Sequence, residues 1–203
     1  MPRVCTMLMK SLGLAAGLLL MPSAAWAHAG SGPHVHFASG FLHPLSGLDH
    51  LLAMIAVGLF AASLGGRALW AVPLSFLTLM VAGGVMGVAG LPLPFVEPAI
   101  ALSVAVFGLA LVMHRHWTVP AAMMLVGLFA VFHGYAHGTE IPQRAAAMPY
   151  VLGFVTATAL LHGAGIAIGL KGLRAGEANG MRTARVGGVL IASAGFCLML
   201  AAW

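Results

Sequence analysis

Ten histidines stand beside only four acidic residues in a chain of 203 residues that has few other polar side chains. Two short segments concentrate side chains that can bind metals. They are His43, Asp49 and His50 in HPLSGLDH, and His133, His137 and Glu140 in HGYAHGTE. Imidazole and carboxylate groups together suit Zn, Ni, Co, Cu or Fe better than Mg or Ca. The two segments therefore predict ligands for a transition-metal ion.

The spacing in the first segment is unusual for one metal site. His43 and His50 are seven residues apart, so they share a helix face but lie about 10 Å apart along a straight helix. Either the helix opens at Pro44 or Gly47, or the two histidines belong to successive sites on a path. Pro44 suits the first turn of a helix, which predicts that His43 stands at the helix mouth. Asp49 can ligate the metal or orient a ligating imidazole. A polar network that only locks helices together is the alternative.

The second segment fits a single helix face. His133 and His137 are four residues apart and Glu140 follows three later, so all three project to one side of a helix. Gly134 and Gly138 either let another backbone approach or end the helix. The alternative is a histidine pair hydrogen-bonded to the backbone at a helix end.

Other polar residues are weaker candidates. His162, near the middle of an apolar segment, is either a deeper metal station or a packed core histidine. Thr156 and Thr158 are expected to hydrogen-bond back to their own helix. The remaining candidates are His34 and His36 before the first apolar segment, His114 and His116 beside Arg115, and Glu97 at the start of the third.

The composition sets the class of protein that must position these residues. Charged residues make up 6% of the chain and apolar residues 61%, whereas soluble domains have about 25% charged residues. The apolar blocks predict six spans of about 17–23 residues, each long enough to cross a membrane. The predicted spans are Pro44–Leu64, Ala68–Ala89, Phe95–Met113, Val119–Tyr135, Met148–Leu170 and Ala184–Trp203. The predicted fold is an all-α, polytopic integral membrane protein.

The N-terminus has the pattern of a cleaved signal peptide. Basic residues precede a short apolar stretch, and Ala25-Trp26-Ala27 provides a small-x-small cleavage site. We predict a signal peptide over residues 1–27 and a mature domain over residues 28–203, although an uncleaved first helix is the alternative. The mature chain would begin at His28, whose free amine and imidazole can chelate a divalent cation.

The basic residues indicate the orientation. An exported N-terminus places six of them in cytoplasmic loops and only Arg144 outside, as the positive-inside rule requires. The six are Arg67, Arg115, Lys171, Arg174, Arg182 and Arg185. We therefore predict a multi-pass protein of the bacterial inner membrane with a periplasmic N-terminus and most ligand-type residues in the outer half. The segment Lys171–Arg185 is expected to be a flexible cytoplasmic loop.

These motifs resemble those of the HupE/UreJ family. HPLSGLDHLLAM, FHGYAHGTE and LLHGAG, in this order, are similar to three motifs of that family, and the resemblance covers essentially the whole chain. It implies a secondary permease for Ni²⁺ or Co²⁺, often encoded beside hydrogenase or urease genes. It also implies that His43, Asp49, His50, His133, His137 and Glu140 are transport residues.

The leading hypothesis is uptake of Ni²⁺ or Co²⁺ through a line of ligands, with His162 as a deeper station. The expected partners are the bilayer and the transported ion, with no prosthetic group and no evident ATPase subunit. Nucleic acid is not expected, because the basic residues lie between apolar blocks. ATP hydrolysis by this chain is not expected either, because the sequence contains no GxxxxGK[ST] motif. Three other functions stay open. One is an intramembrane metal hydrolase, in which His, Asp and a metal-bound water would cut a lipid amide and Ser46 would be a further participant. The others are a haem-binding electron carrier with two facing histidines, and a metal sensor or accessory subunit.

Overall fold

The structure, a computed structural model, describes residues 37–113, 117–141 and 147–201, and within these ranges it contains only α-helices. The helices are α1 Phe37–Ser46, α2 Leu48–Leu64, α3 Ala68–Val88, α4 Val96–Met113, α5 Val119–Glu140, α6 Ala147–Arg174 and α7 Glu177–Ala201. Five of them, α3 to α7, are long and apolar enough to cross a membrane, and α1 with α2 forms a sixth, bent candidate. The predicted all-α, polytopic fold is confirmed. The predicted signal peptide and the residues His28, His34, His36, His114 and His116 lie outside the described residues.

The first predicted span is broken at Gly47. The axes of α1 and α2 differ by 87° across this residue, whose backbone is extended. A Cβ at Gly47 would lie 2.8 Å from Asp49 Oδ1 and 3.0 Å from His50 Nδ1, so a larger residue would push into that pair. Pro44 lies inside α1 rather than in a first turn. The expectation that His43 stands at the mouth of a helix is therefore wrong, because α1 begins at Phe37.

Two other boundaries differ from the sequence prediction. Helix α5 continues past Tyr135 to Glu140, so Gly134 and Gly138 do not end it. The segment Lys171–Arg185 is helical except at two residues, because α6 runs to Arg174 and α7 starts at Glu177. Gly176, with φ of +117°, reverses the chain between them. The prediction of a long flexible loop there is wrong.

Helices α3 and α5 pack with their backbones in contact. A Cβ added at Gly134 would overlap the carbonyl oxygen of Met80, and one added at Gly138 would overlap that of Gly84. The same holds in the opposite direction for Gly83, whose Cβ would overlap the carbonyl oxygen of Val131. Close approach through small residues is how helices associate in lipid, where apolar burial gives little driving force.

The helices enclose an apolar core and present an apolar outer surface. Phe60, Phe76 and Phe107 are almost completely buried between the helices. Large apolar side chains also point outward, including Leu190, which is 65% exposed, and Met124, which is 72% exposed. A surface of this kind is expected where the surrounding medium is lipid.

The contact between α3 and α5 can be tested at two adjacent glycines. We expect Gly83→Ala to lower the free energy of unfolding by about 1–3 kcal/mol, since its Cβ overlaps backbone that cannot move separately from its helix. Gly84→Ala is the matched control, because its Cβ would lie at an ordinary 3.5 Å from the Gly134 carbonyl oxygen. Thermal unfolding in detergent compares the two variants. Equal melting temperatures would contradict the backbone contact.

Candidate metal centre

Three potential ligands meet where α1 reaches the end of α5. His43 Nε2 lies 3.3 Å from Glu140 Oε2, and His137 Nδ1 lies 3.7 Å from the same oxygen. One ligand atom from each of the three residues can be chosen so that all lie within 4.8 Å of one another. The Glu140 side chain is 52% exposed and the His137 side chain only 7%. An ion arriving from the surface would meet the carboxylate first and the buried imidazole second.

A second pair of imidazoles, His50 on α2 and His133 on α5, lies on the other side of His137. The rings of His50 and His133 have centroids 5.1 Å apart. His133 Nδ1 lies 3.0 Å from the carbonyl oxygen of Phe129. A carbonyl oxygen only accepts hydrogen bonds, so Nδ1 carries the proton and Nε2 keeps its lone pair. This Nε2 is buried and has no hydrogen-bond partner in the described part of the chain.

Asp49 fixes the tautomer of His50 in the same way that the Phe129 carbonyl oxygen fixes that of His133. His50 Nδ1 and the His50 backbone N–H both lie within hydrogen-bond distance of Asp49 Oδ1, at 2.9 Å and 2.8 Å. The carboxylate accepts from Nδ1–H and leaves His50 Nε2 as a buried lone pair without a partner among the described residues. A carboxylate that accepts from a histidine fixes its tautomer and makes it a better ligand. Of the two roles that the sequence left open for Asp49, the geometry favours orientation of His50.

His137 belongs to the group with His43 and Glu140 and also contacts the His50–His133 pair. Its ring centroid is 4.7 Å from that of His43 and 4.5 Å from that of His50. A straight helix could not bring His43 and His50 to the same third ring, but the bend at Gly47 does. Of the alternatives that the sequence left for this spacing, the opened helix is observed, and the break falls at Gly47. Within residues 37–113, 117–141 and 147–201, neither ring nitrogen of His137 has a hydrogen-bond partner.

The series of rings continues toward the middle of α6. Phe76 on α3 contacts His133, with centroids 5.7 Å apart, and His162 on the other side, with centroids 5.1 Å apart. His162 is 1% exposed. It is thus separated from the main cluster by one phenyl ring. Glu97, which is exposed in the first turn of α4, is not part of the three-ligand group.

Aromatic residues of α6 form a wall that the sequence analysis did not identify. Tyr150 and Phe154 pack against His43, and Phe154 also packs against His137, with centroids 4.2 Å apart. Beside them, a cleft of about 180 Å³ between α3, α5 and α6 reaches His137 and is otherwise lined by apolar and glycine residues. The only sequence signal was two aromatic residues four apart, a pattern that ordinary core packing also produces.

The geometry bears on two details of the alternative functions, the role of Ser46 in a metal hydrolase and the room for a haem between facing histidines. The Ser46 hydroxyl donates to the His43 carbonyl oxygen at 2.6 Å, rather than to an imidazole that could act as its base. The neighbouring imidazoles are packed ring against ring, with centroids 4.5–5.1 Å apart. Such contacts leave no room for a porphyrin between two axial histidines.

Helices that can span a membrane and a buried set of imidazoles with free lone pairs define a multi-pass membrane protein with a candidate transition-metal site. The comparison with known proteins agrees with this class. The family model described as "HupE / UreJ protein" matches residues 16–198. Protein HupE of Rhizobium leguminosarum bv. viciae is 48% identical over 182 residues, which cover 90% of this chain and 93% of that protein. The chain therefore belongs to the HupE/UreJ family. No solved structure matches it.

The orienting role of Asp49 leads to a specific expectation. Asp49→Asn keeps an oxygen of similar shape but removes the negative charge that fixes the His50 tautomer. We expect this change to weaken Ni²⁺ binding about 10- to 100-fold, as is usual when the partner of a ligating histidine is altered. Isothermal titration of the purified protein in detergent measures it. Glu177→Gln, which removes an exposed carboxylate at the start of α7, should leave binding unchanged; an equal loss in both variants would argue against a local role for Asp49.

Proposed function

We propose that this chain is a secondary permease that takes up Ni²⁺ or Co²⁺ across the bacterial inner membrane. The observation that carries the proposal is the series of imidazoles from the exposed Glu140 inward, in which His43, His137, His50 and His133 contact one another in turn. Membership of a family of metal transport and accessory proteins supports it. In this proposal the ion is the substrate, and the chain holds no prosthetic group.

The chemistry of the ligands suits such an ion. Neutral imidazole nitrogens with one carboxylate match Ni²⁺ and Co²⁺, which accept the same ligand types. The donors are spread over adjacent positions instead of forming one closed tetrahedral site. Transport requires sites that bind an ion well enough to admit it and weakly enough to release it. An ion could exchange one imidazole for the next without losing all its ligands at any step.

The membrane potential is the proposed source of energy. The sequence contains no GxxxxGK[ST] motif for nucleotide binding. A potential of 100 mV, negative inside, favours inward movement of a divalent cation by about 4.6 kcal/mol. This requires Glu140 and His43 to face the periplasm, with Lys171 and Arg174 at the cytoplasmic end of α6. The predicted mature N-terminus, with His28 as a further ligand, would then also lie in the periplasm.

Flux through a reconstituted membrane tests the proposal directly. We expect liposomes containing the purified protein to take up ⁶³Ni or ⁵⁷Co faster than empty liposomes. His50→Ala should reduce uptake at least tenfold, because it removes the imidazole that links His137 to His133. Asn179→Ala, at an exposed position of α7, is the control and should transport normally.

A different result would change the assignment. Tight metal binding without flux would indicate a sensor or accessory subunit, since such a protein binds the same ions but does not move them. The ratio of the two isotopes would show which metal the chain prefers. Mass spectrometry of the mature N-terminus would show separately whether His28 is the first residue.

A further inference from the structure

Thr158 and His162 form a second group of buried polar side chains, away from the cluster on α1, α2 and α5. They lie four residues apart on α6, so both project from the same face of the helix. Thr158 is fully buried and His162 is 1% exposed. The Thr158 hydroxyl and both His162 nitrogens have no hydrogen-bond partner among the residues that the structure describes. Polar atoms in this state are uncommon inside proteins and call for an explanation.

The Thr158 hydroxyl differs from other helical hydroxyls in this protein. Ser75, Ser103 and Thr156 each donate to a carbonyl oxygen three or four residues earlier in their own helix. Both threonines of α6 are expected from the sequence to do this; the expectation is confirmed for Thr156 and wrong for Thr158. A buried threonine that makes no such bond keeps its oxygen and its proton available to another group.

The position of the pair fits a path through the protein. Phe76 packs against His162 on one side and against His133 of the main cluster on the other. In the opposite direction, Gly169 lies on the same face of α6, about 10 Å beyond His162. Gly169 lines a cavity of about 250 Å³ between α2, α6 and α7, which also exposes Ser63 and Glu177. Thr158 and His162 therefore lie between the imidazole cluster and a cavity at the other end of the helices.

We propose that Thr158 and His162 form an inner transit site for the divalent transition-metal ion. One His162 nitrogen would ligate the ion, and the Thr158 oxygen would bind either the ion or a water molecule that the ion retains. Both donors are neutral, whereas the outer group includes the Glu140 carboxylate, so the inner site binds more weakly and releases the ion more readily. This inference rests on the proposed transport function and adds a second site and a residue, Thr158, to it.

The test removes one hydroxyl group at a time. Thr158→Val keeps the shape of the side chain and deletes its oxygen. Thr156→Val is the control, because it makes the same change two residues earlier, at an exposed hydroxyl that donates to its own helix. We expect Thr158→Val to reduce ⁶³Ni uptake into liposomes about tenfold and Thr156→Val to leave it unchanged. Thr158→Ser, which restores a hydroxyl, should recover most of the uptake. Equilibrium binding of Ni²⁺ to the outer cluster, formed by His43, His137 and Glu140 with the His50–His133 pair, should be the same in all three variants.

The outcomes separate this inference from the function on which it rests. If the wild-type protein transports Ni²⁺ and Thr158→Val does so at the same rate, the inner site is overturned and the permease function stands. No uptake by the wild-type protein would overturn both. A fall in both uptake and Ni²⁺ affinity for Thr158→Val would indicate a structural role and would also overturn the inner site. His162→Gln provides a second variant, which should likewise lower uptake without changing the affinity of the outer cluster.

Discussion

Contact between helix backbones is the constraint on which the candidate metal centre depends. Imidazole and carboxylate groups inside a membrane are costly unless protein surrounds them. Here α5 carries His133 and His137, and α3, which carries Phe76, lies against it at Gly83 and Gly134 without intervening side chains. The distance between the backbones of α3 and α5 sets how far Phe76 reaches toward His133. A wider separation would admit lipid or water and would break the contact between the phenyl ring and the imidazole.

The bend at Gly47 adds a second constraint, of direction rather than distance. Residues in a continuous helix keep fixed angular positions, so His43 and His50 would lie two turns apart on one face. The 87° change in direction brings both of them to His137 and leaves Asp49 beside His50. The same glycine accommodates the Asp49–His50 pair, because any side chain at this position would enter their space. One residue therefore provides both the bend and the room for the pair that follows it.

Much of this arrangement was predictable from the sequence, and the errors have physical causes. The apolar blocks indicated helices that cross a membrane, and the spacing of His133, His137 and Glu140 indicated one helix face. The separation of His43 and His50 along a straight helix indicated either an opened helix or two successive sites on a path. The sequence named Pro44 and Gly47 as possible points of opening, and the choice of Gly47 depends on contacts with other helices that the local sequence does not specify. Polar residues together with Gly172, Gly176 and Gly180 suggested a loop after Lys171, although Ala, Arg and Met favour helix there. Phe76 carries no local signal, since its contacts with His133 and His162 join residues distant in the sequence.

The position of His137 would limit how many ions the candidate metal centre could hold at once. A neutral imidazole has a single lone pair for a metal, yet the His137 ring lies beside both His43 and His50. An ion bound with His43 and Glu140 and an ion bound with His50 and His133 would compete for that one nitrogen. In a transporter, ions would then pass His137 one at a time. The uptake rate would saturate at the rate at which His137 releases one ion and binds the next. The cluster would hold one ion at this position at a time, unlike a pore that several ions occupy together.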